Sequence, residues 1–226
     1  MSGVFAANGP DSFIWWDWVD RHRSDIWAAT LEHLRLTLIA VSVGFLIAAV
    51  LAVIALRFRF MYAPFAWVTG FLYTIPSLAL FVLLVPITGF TTLTGEIGLV
   101  SYTLLILLRN IVEGVDGVPT SVKEAADGMG YRPTRRFLAV DLRLATPTII
   151  AGLRIATVTT IGLVTVTGLI GLGGYGGLIN DGLKRTFSTP IVVGAALSVA
   201  MAIVLDLGLV LIERALTPWS RRRATI

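Results

Sequence analysis

The chain has 226 residues, 56% of them hydrophobic and only 14% charged, with a formal net charge of +4 and a mean hydropathy of +0.84. Soluble domains carry roughly 25% charged residues, so this composition excludes an ordinary soluble globular protein. Apolar runs of about 20 residues recur, which makes the fold class all-α: a polytopic helical membrane protein. The basic excess falls at segment ends, as membrane topology requires, rather than in a nucleic-acid-binding stripe. The absence of cysteine excludes disulfides and thiolate metal sites. The length suits a single transmembrane domain over residues 1–226 and leaves no room for a separate nucleotide-binding domain.

In chain order, residues 1–12 are polar and carry no basic region leading into an apolar core, so no cleavable signal is expected. Residues 13–31 hold Trp15, Trp16, Trp18 and Trp27 among Asp17, Asp20, Arg21, Arg23 and Asp25. Indole rings favour the bilayer boundary, so residues 1–33 read as an N-terminal interfacial segment, with a lead-in to the first span as the alternative. About five spans follow, at residues 34–56, 62–87, 97–115, 146–170 and 191–212. The second is interrupted at Ile75-Pro76-Ser77, where proline removes a backbone donor and breaks or kinks the helix. Pro76 and Ser77 are therefore candidates for the translocation path.

Charge sets the expected topology. With the N-terminus outside, the inner face holds eleven basic residues: Arg57, Arg59, Lys123, Arg132, Arg135, Arg136, Arg143, Arg214, Arg221, Arg222 and Arg223. The outer face holds five, namely Arg21, Arg23, Arg35, Lys184 and Arg185. Positive residues near spans resist translocation, so this asymmetry predicts N-out and C-in.

Residues 119–142 form a polar island on the inner face. Ser121-Val122-Lys123-Glu124 has the spacing of a capping box and predicts a helix starting there. Gly128 and Gly130 end it, and Arg132-Pro133 opens a second short helix. Read alone, this is a capped helical hairpin between two spans. The run Glu124-Ala125-Ala126, three residues, Gly130, nine residues, then Val140-Asp141-Leu142 resembles the signature of ABC importer permeases. The resemblance extends to residues 75–81, Leu108-Arg109-Asn110, residues 147–154 and residues 169–176, and covers about residues 30–218. It is most similar to the osmoprotectant branch.

That resemblance implies a type I ABC importer permease fold and the role of a membrane subunit importing a small osmoprotectant such as glycine betaine, choline, carnitine or proline by alternating access. It implies a cytoplasmic dimer of ABC ATPases that binds and hydrolyses ATP-Mg, a second permease that is identical or homologous, and an extracytoplasmic solute-binding protein. The setting implied is a bacterial or archaeal cytoplasmic membrane, and this chain itself would hold no cofactor. Glu124, Ala125, Ala126 and Gly130 are the expected ATPase-coupling residues. Arg143 stands where the family has a proline, so the bend ending the second coupling helix is expected to shift toward Pro147.

Gly171, Gly173 and Gly176 have the spacing of a dinucleotide loop, but no soluble strand precedes them. Gly171, Gly173 and Gly174 read instead as an outer turn, either a gate or purely structural. Thr157, Thr160, Val164 and Thr167 share one helical face; they line the solute route or bond back to their own helix. Arg154 and Asp206 fall at similar depth on the fourth and fifth spans, so an intramembrane ion pair is expected, with Arg109 competing for Asp206. His22 and His33 belong to no triad or metal spacing, and no catalytic or metal site is expected. The alternatives are an ABC permease for another amino acid such as methionine, or an ion-coupled secondary transporter. The latter class commonly carries internal repeats, which are not evident here.

Overall fold

The computed structural model describes residues 13–219; residues 1–12 and the basic run Arg221-Arg222-Arg223 lie outside the described residues. The elements are α1 (Trp16–Arg21), α2 (Arg23–Arg57), a 3-10 turn (Arg59–Met61), α3 (Tyr62–Thr74), α4 (Ser77–Thr88), α5 (Thr92–Asp116), α6 (Thr120–Gly128) and α7 (Pro133–Arg136). A π-helical segment (Phe137–Asp141), α8 (Leu142–Thr167), a second 3-10 turn (Gly168–Ile170), α9 (Gly174–Arg185) and α10 (Ser188–Leu216) complete the order. Among the described residues four helices are long and apolar enough to cross a membrane, or five if the broken pair α3 and α4 counts as one span.

The break follows from Pro76. Its ring disfavours a helical conformation at Ile75, and its extended backbone (ψ 131°) caps α4. The Pro76 carbonyl accepts the first α4 bond, from Leu80 N–H at 3.0 Å. With 12 residues, α4 is about 18 Å long and cannot cross a core of about 30 Å alone.

The chain divides into two compact units. The first comprises residues 13–40, 75–100 and 159–204. Its core joins Leu36 and Ala40 of α2, Phe81 of α4, Leu99 of α5 and Val164 of α8. The tryptophan-rich segment belongs here, and it divides between two helices. The helix stops at Arg21, and residues 23–31 already belong to the 35-residue α2. Trp15 and Trp18 pack edge-on to Phe187 at 6.3 and 5.7 Å, the Trp15 amide donates to Thr189 Oγ1, and Ser188 Oγ donates to the Phe13 carbonyl. These indoles are thus spent partly on the α9–α10 junction, a contact between distant parts of the sequence.

The second unit comprises residues 41–74, 101–158 and 205–219. Ala48, Ala52 and Ala55 of α2 pack on Leu107, Leu108, Ile111 and Val112 of α5 and on Ala156 of α8. Lipid tails are as apolar as leucine, so helices in a membrane associate through close packing, which small residues allow. The α5–α8 contact shows the same device: a side chain at Gly152 would strike Asn110, and one at Gly114 would crowd Ala145 and Thr148.

Candidate coupling and translocation sites

The polar island between α5 and α8 folds into one braced block. Its first helix is capped by Pro119, not by Ser121, and no side chain caps it. This corrects the expected capping box: proline's extended backbone starts the helix two residues earlier, and the Pro119 carbonyl receives the Val122 and Lys123 amides at 3.0 and 3.3 Å. Lys123 does other work, donating from Nζ to the Val115 carbonyl at 3.2 Å and so satisfying an end carbonyl of α5. The helix closes in a Schellman arrangement, with Tyr131 N–H donating to the Ala126 carbonyl (3.1 Å) and Gly130 N–H to that of Asp127 (2.9 Å). That closure requires the left-handed backbone of Gly130, at φ +80°.

Pro133 then opens α7 at its first turn. Arg136 ties the pieces together, pairing with Asp127 of α6 through NH1 and approaching the buried Asp141 of the π segment at 3.7 Å. Arg135 lies over the Tyr131 ring at 4.9 Å. The irregularity expected near Pro147 sits instead at the π segment, and Pro147 is inside the continuing α8. Arg143, in place of the family's proline, stacks on Trp219 at 5.1 Å.

Of the expected coupling residues, Glu124, Ala125 and Gly130 are exposed. Ala126 is 2% exposed and packs inside its own chain, so its small side chain serves the block's interior rather than the open face. Two residues that sequence reasoning missed share the open face. Gly128 is exposed, and Met129 is a 70% exposed apolar side chain. An apolar residue just ahead of the closing glycine is the signal that marked it.

On α8 and α10, Arg154 and Asp206 form a bidentate ion pair, Nε to Oδ1 at 2.7 Å and NH2 to Oδ2 at 3.0 Å. Glu213 adds a second carboxylate 3.8 Å from Arg154 NH1. It lies seven residues after Asp206, on the same helical face, and had no part in the sequence reading. Arg109 does not compete: it is exposed, with no hydrogen-bond or ion-pair partner among the described residues.

The threonine stripe packs inward. Thr157, Thr160 and Thr167 are all buried within this chain, and Thr157 and Thr167 donate to the carbonyls of Leu153 and Val164 in their own helix. In this conformation all three pack inward, and Thr157 and Thr167 bond back to their own helix, the second of the two readings that their spacing allowed. Pro76 is exposed at the α3–α4 break and Ser77 is half-buried.

The glycine-rich stretch is more than a turn, since it launches the 12-residue helix α9 that sequence reading missed. Gly171, Gly173 and Gly174 have positive φ. The start of α9 is held by the pair Glu32-His33: Gly174 N–H donates to Glu32 Oε2 at 2.8 Å and Tyr175 N–H to His33 Nδ1 at 3.3 Å. With Nδ1 accepting, Nε2 carries the ring proton and donates to the Ile161 carbonyl at 3.1 Å. A carboxylate and a neutral imidazole thus satisfy two amides at a helix N-terminus. No local spacing marks His33 as functional, because its partners lie about 130–140 residues away. Gly168 and Gly176 let the two backbones meet, for a Cβ on Gly176 would stand 2.1 Å from the Thr165 carbonyl oxygen.

Four or five apolar spans among the described residues and a braced polar block between α5 and α8 mark a polytopic membrane protein. Residues 31–218 match the family described as binding-protein-dependent transport system inner membrane component, and the chain belongs to that family. It is 35% identical to the choline transport system permease protein OpuBB of Bacillus subtilis, with 86% of this chain and 89% of the relative aligned. It is 32% identical to the osmoprotectant import permease protein OsmW of Salmonella typhimurium, over 84% and 90% of the two chains. In fold it resembles the MetNI methionine ABC transporter in an inward-facing conformation, with a TM-score of 0.75 at 20% identity, covering 87% of this chain and 98% of that one. The type I ABC importer permease fold is therefore present. The chain is a multi-pass plasma-membrane transporter subunit that works with a binding protein and with a separate ATPase, which hydrolyses the ATP.

Proposed function

We propose that this permease carries small osmoprotectants such as glycine betaine, choline, carnitine or proline across the membrane by alternating access. The observation that carries the reading is near full-length similarity to permeases named for choline and osmoprotectant import. The N-terminus faces outward and the C-terminus inward, which the charge asymmetry favours. Two permeases, identical or homologous, enclose the path, and an ATPase dimer docks on the exposed face of α6 around Glu124, Ala125, Gly128, Met129 and Gly130.

In this reading, closure of the ATPases around ATP-Mg pulls on that face. The Schellman closure and the Arg136 bridges make α6, α7 and the π segment move as a unit, so the pull reaches α8 without being lost in a flexible loop. Pro76 and Ser77 border the solute route, and Gly171, Gly173 and Gly174 form the outer gate, hinged where α9 rests on Glu32 and His33. No residue of this chain hydrolyses ATP, and it binds no cofactor of its own.

The test is uptake of labelled glycine betaine, choline, carnitine, proline and methionine in cells lacking their own osmoprotectant importers and expressing this permease with its ATPase and binding protein. Accumulation of one or more of the first four, dependent on ATP, is expected. Accumulation of methionine alone would place the chain with a different solute class.

A further inference from the structure

Arg109 of α5 is a charge within a long helix whose situation the coupling machinery does not explain. It sits seven residues before the end of α5, on the order of 10 Å inside that end at about 1.5 Å per residue. It is exposed on this chain and has no polar partner among the described residues. An arginine at that depth cannot rest against lipid tails without a large cost, so such residues face a partner charge or a water-filled path. Snorkelling to the near boundary works against geometry, because a helical side chain leaves its backbone tilted toward the helix N-terminus. For Arg109 that direction is deeper into the span. Glu113, one turn later, makes no ion pair with it and borders a separate concavity beside Val118 and Trp219.

Arg109 stands at the edge of a concavity of about 630 Å³ shared with Trp67, Gly70, Phe71, Tyr73 and Thr74 of α3, a volume within the usual range for small-ligand sites. Trp67 and Phe71 are stacked with ring centroids 6.0 Å apart and planes 11° off parallel, and they are 72% and 57% exposed. They present exposed aromatic surface, and their ring faces carry negative quadrupole. One cationic group and one aromatic, electron-rich wall therefore lie side by side.

We propose that this concavity is a solute subsite for small zwitterions in which a quaternary ammonium and a carboxylate share one molecule. The carboxylate takes the Arg109 guanidinium by paired hydrogen bonds, and the methylated ammonium rests on Trp67 and Phe71 as a cation on aromatic faces. The assignment rests on the osmoprotectant reading above and sharpens it: a solute carrying both groups engages both walls, whereas choline, which lacks the carboxylate, engages only the aromatic one.

The experiment compares ATP-driven uptake of saturating glycine betaine and of choline by the full importer in proteoliposomes, for wild type, Arg109→Gln, Arg109→Lys and Trp67→Leu. The Arg109→Gln variant is expected to lower the betaine-to-choline ratio by about tenfold or more, as loss of one charged contact implies. Arg109→Lys is expected to restore part of that ratio, and Trp67→Leu to reduce both solutes. An unchanged ratio in Arg109→Gln overturns the subsite. So does an equal loss of both solutes with reduced recovery of assembled importer, which would assign Arg109 to a carboxylate of the second permease. Wild-type protein that takes up neither of these solutes, nor carnitine or proline, overturns the osmoprotectant reading itself; wild-type uptake of choline without glycine betaine overturns the subsite alone.

Discussion

Gly128 and Gly130 allow docking to be separated from folding. Both open onto free space, for a Cβ added at either meets nothing within 4 Å. Their backbones differ: Gly128 is the last residue of α6, while Gly130 is held at φ +80°. Gly128→Ala should therefore stabilise the block, up to roughly 0.5–1 kcal/mol, by removing glycine's helix penalty. Gly130→Ala forces a side chain into the left-handed region at a cost of roughly 1–2 kcal/mol. A Gly128→Trp change adds bulk to open solvent and should move the stability of the permease alone by no more than about 0.5 kcal/mol. If this face meets the ATPase, the indole keeps the surfaces apart. Uptake should then fall by at least about tenfold, as for a central interface residue.

The assay measures thermal unfolding of each variant permease in detergent, then solute uptake and stimulated ATP hydrolysis in proteoliposomes with the ATPase and binding protein. The expected pattern is unfolding at wild-type temperature with lost uptake for Gly128→Trp, and normal uptake for Gly128→Ala. Gly130→Ala should show lowered unfolding temperature with uptake reduced only as far as folded protein is reduced. Wild-type uptake with stimulated hydrolysis by Gly128→Trp would refute docking on this face.

Gly176→Ala places a Cβ 2.1 Å from the Thr165 carbonyl oxygen, and since this neighbour is backbone the overpacking should cost about 1–3 kcal/mol or more, visible as reduced yield and a lower unfolding temperature. Asp206→Ala strands Arg154 inside the span and should lower the amount of inserted protein more than the coupling of what remains; the double change with Arg154→Leu should recover part of that amount, and no recovery would deny the pair a structural role. Because the chain has no cysteine, single replacements report access directly: Thr160→Cys and Thr167→Cys should stay unlabelled by a water-soluble maleimide in the inward-facing state, and strong labelling of either would return the stripe to the solute path. In the same assay Arg109→Cys should label, and protection by glycine betaine would place solute beside it.

The sequence alone determined the features that depend on local pattern. Apolar runs marked the spans because the bilayer imposes a length on each helix, and Pro76 marked the broken helix because its ring acts on its own backbone. The closing glycine and Pro133 marked the two short helices of the polar island for the same reason. Tertiary structure decided everything that depends on which face turns where. Ala125 and Ala126 are neighbours of equal size, yet one is exposed and the other buried, and no composition distinguishes them. Ser121 had the spacing of a cap, but the preceding Pro119 set the helix start first. The helix α9 was hidden by its glycines, which lower helix propensity; it forms because Glu32 and His33, far away in sequence, satisfy its first amides. The threonines had the right period for a lining, and helix packing turned that face inward. Period and propensity act within a few residues, whereas burial and partnership are set by contacts between helices distant along the chain.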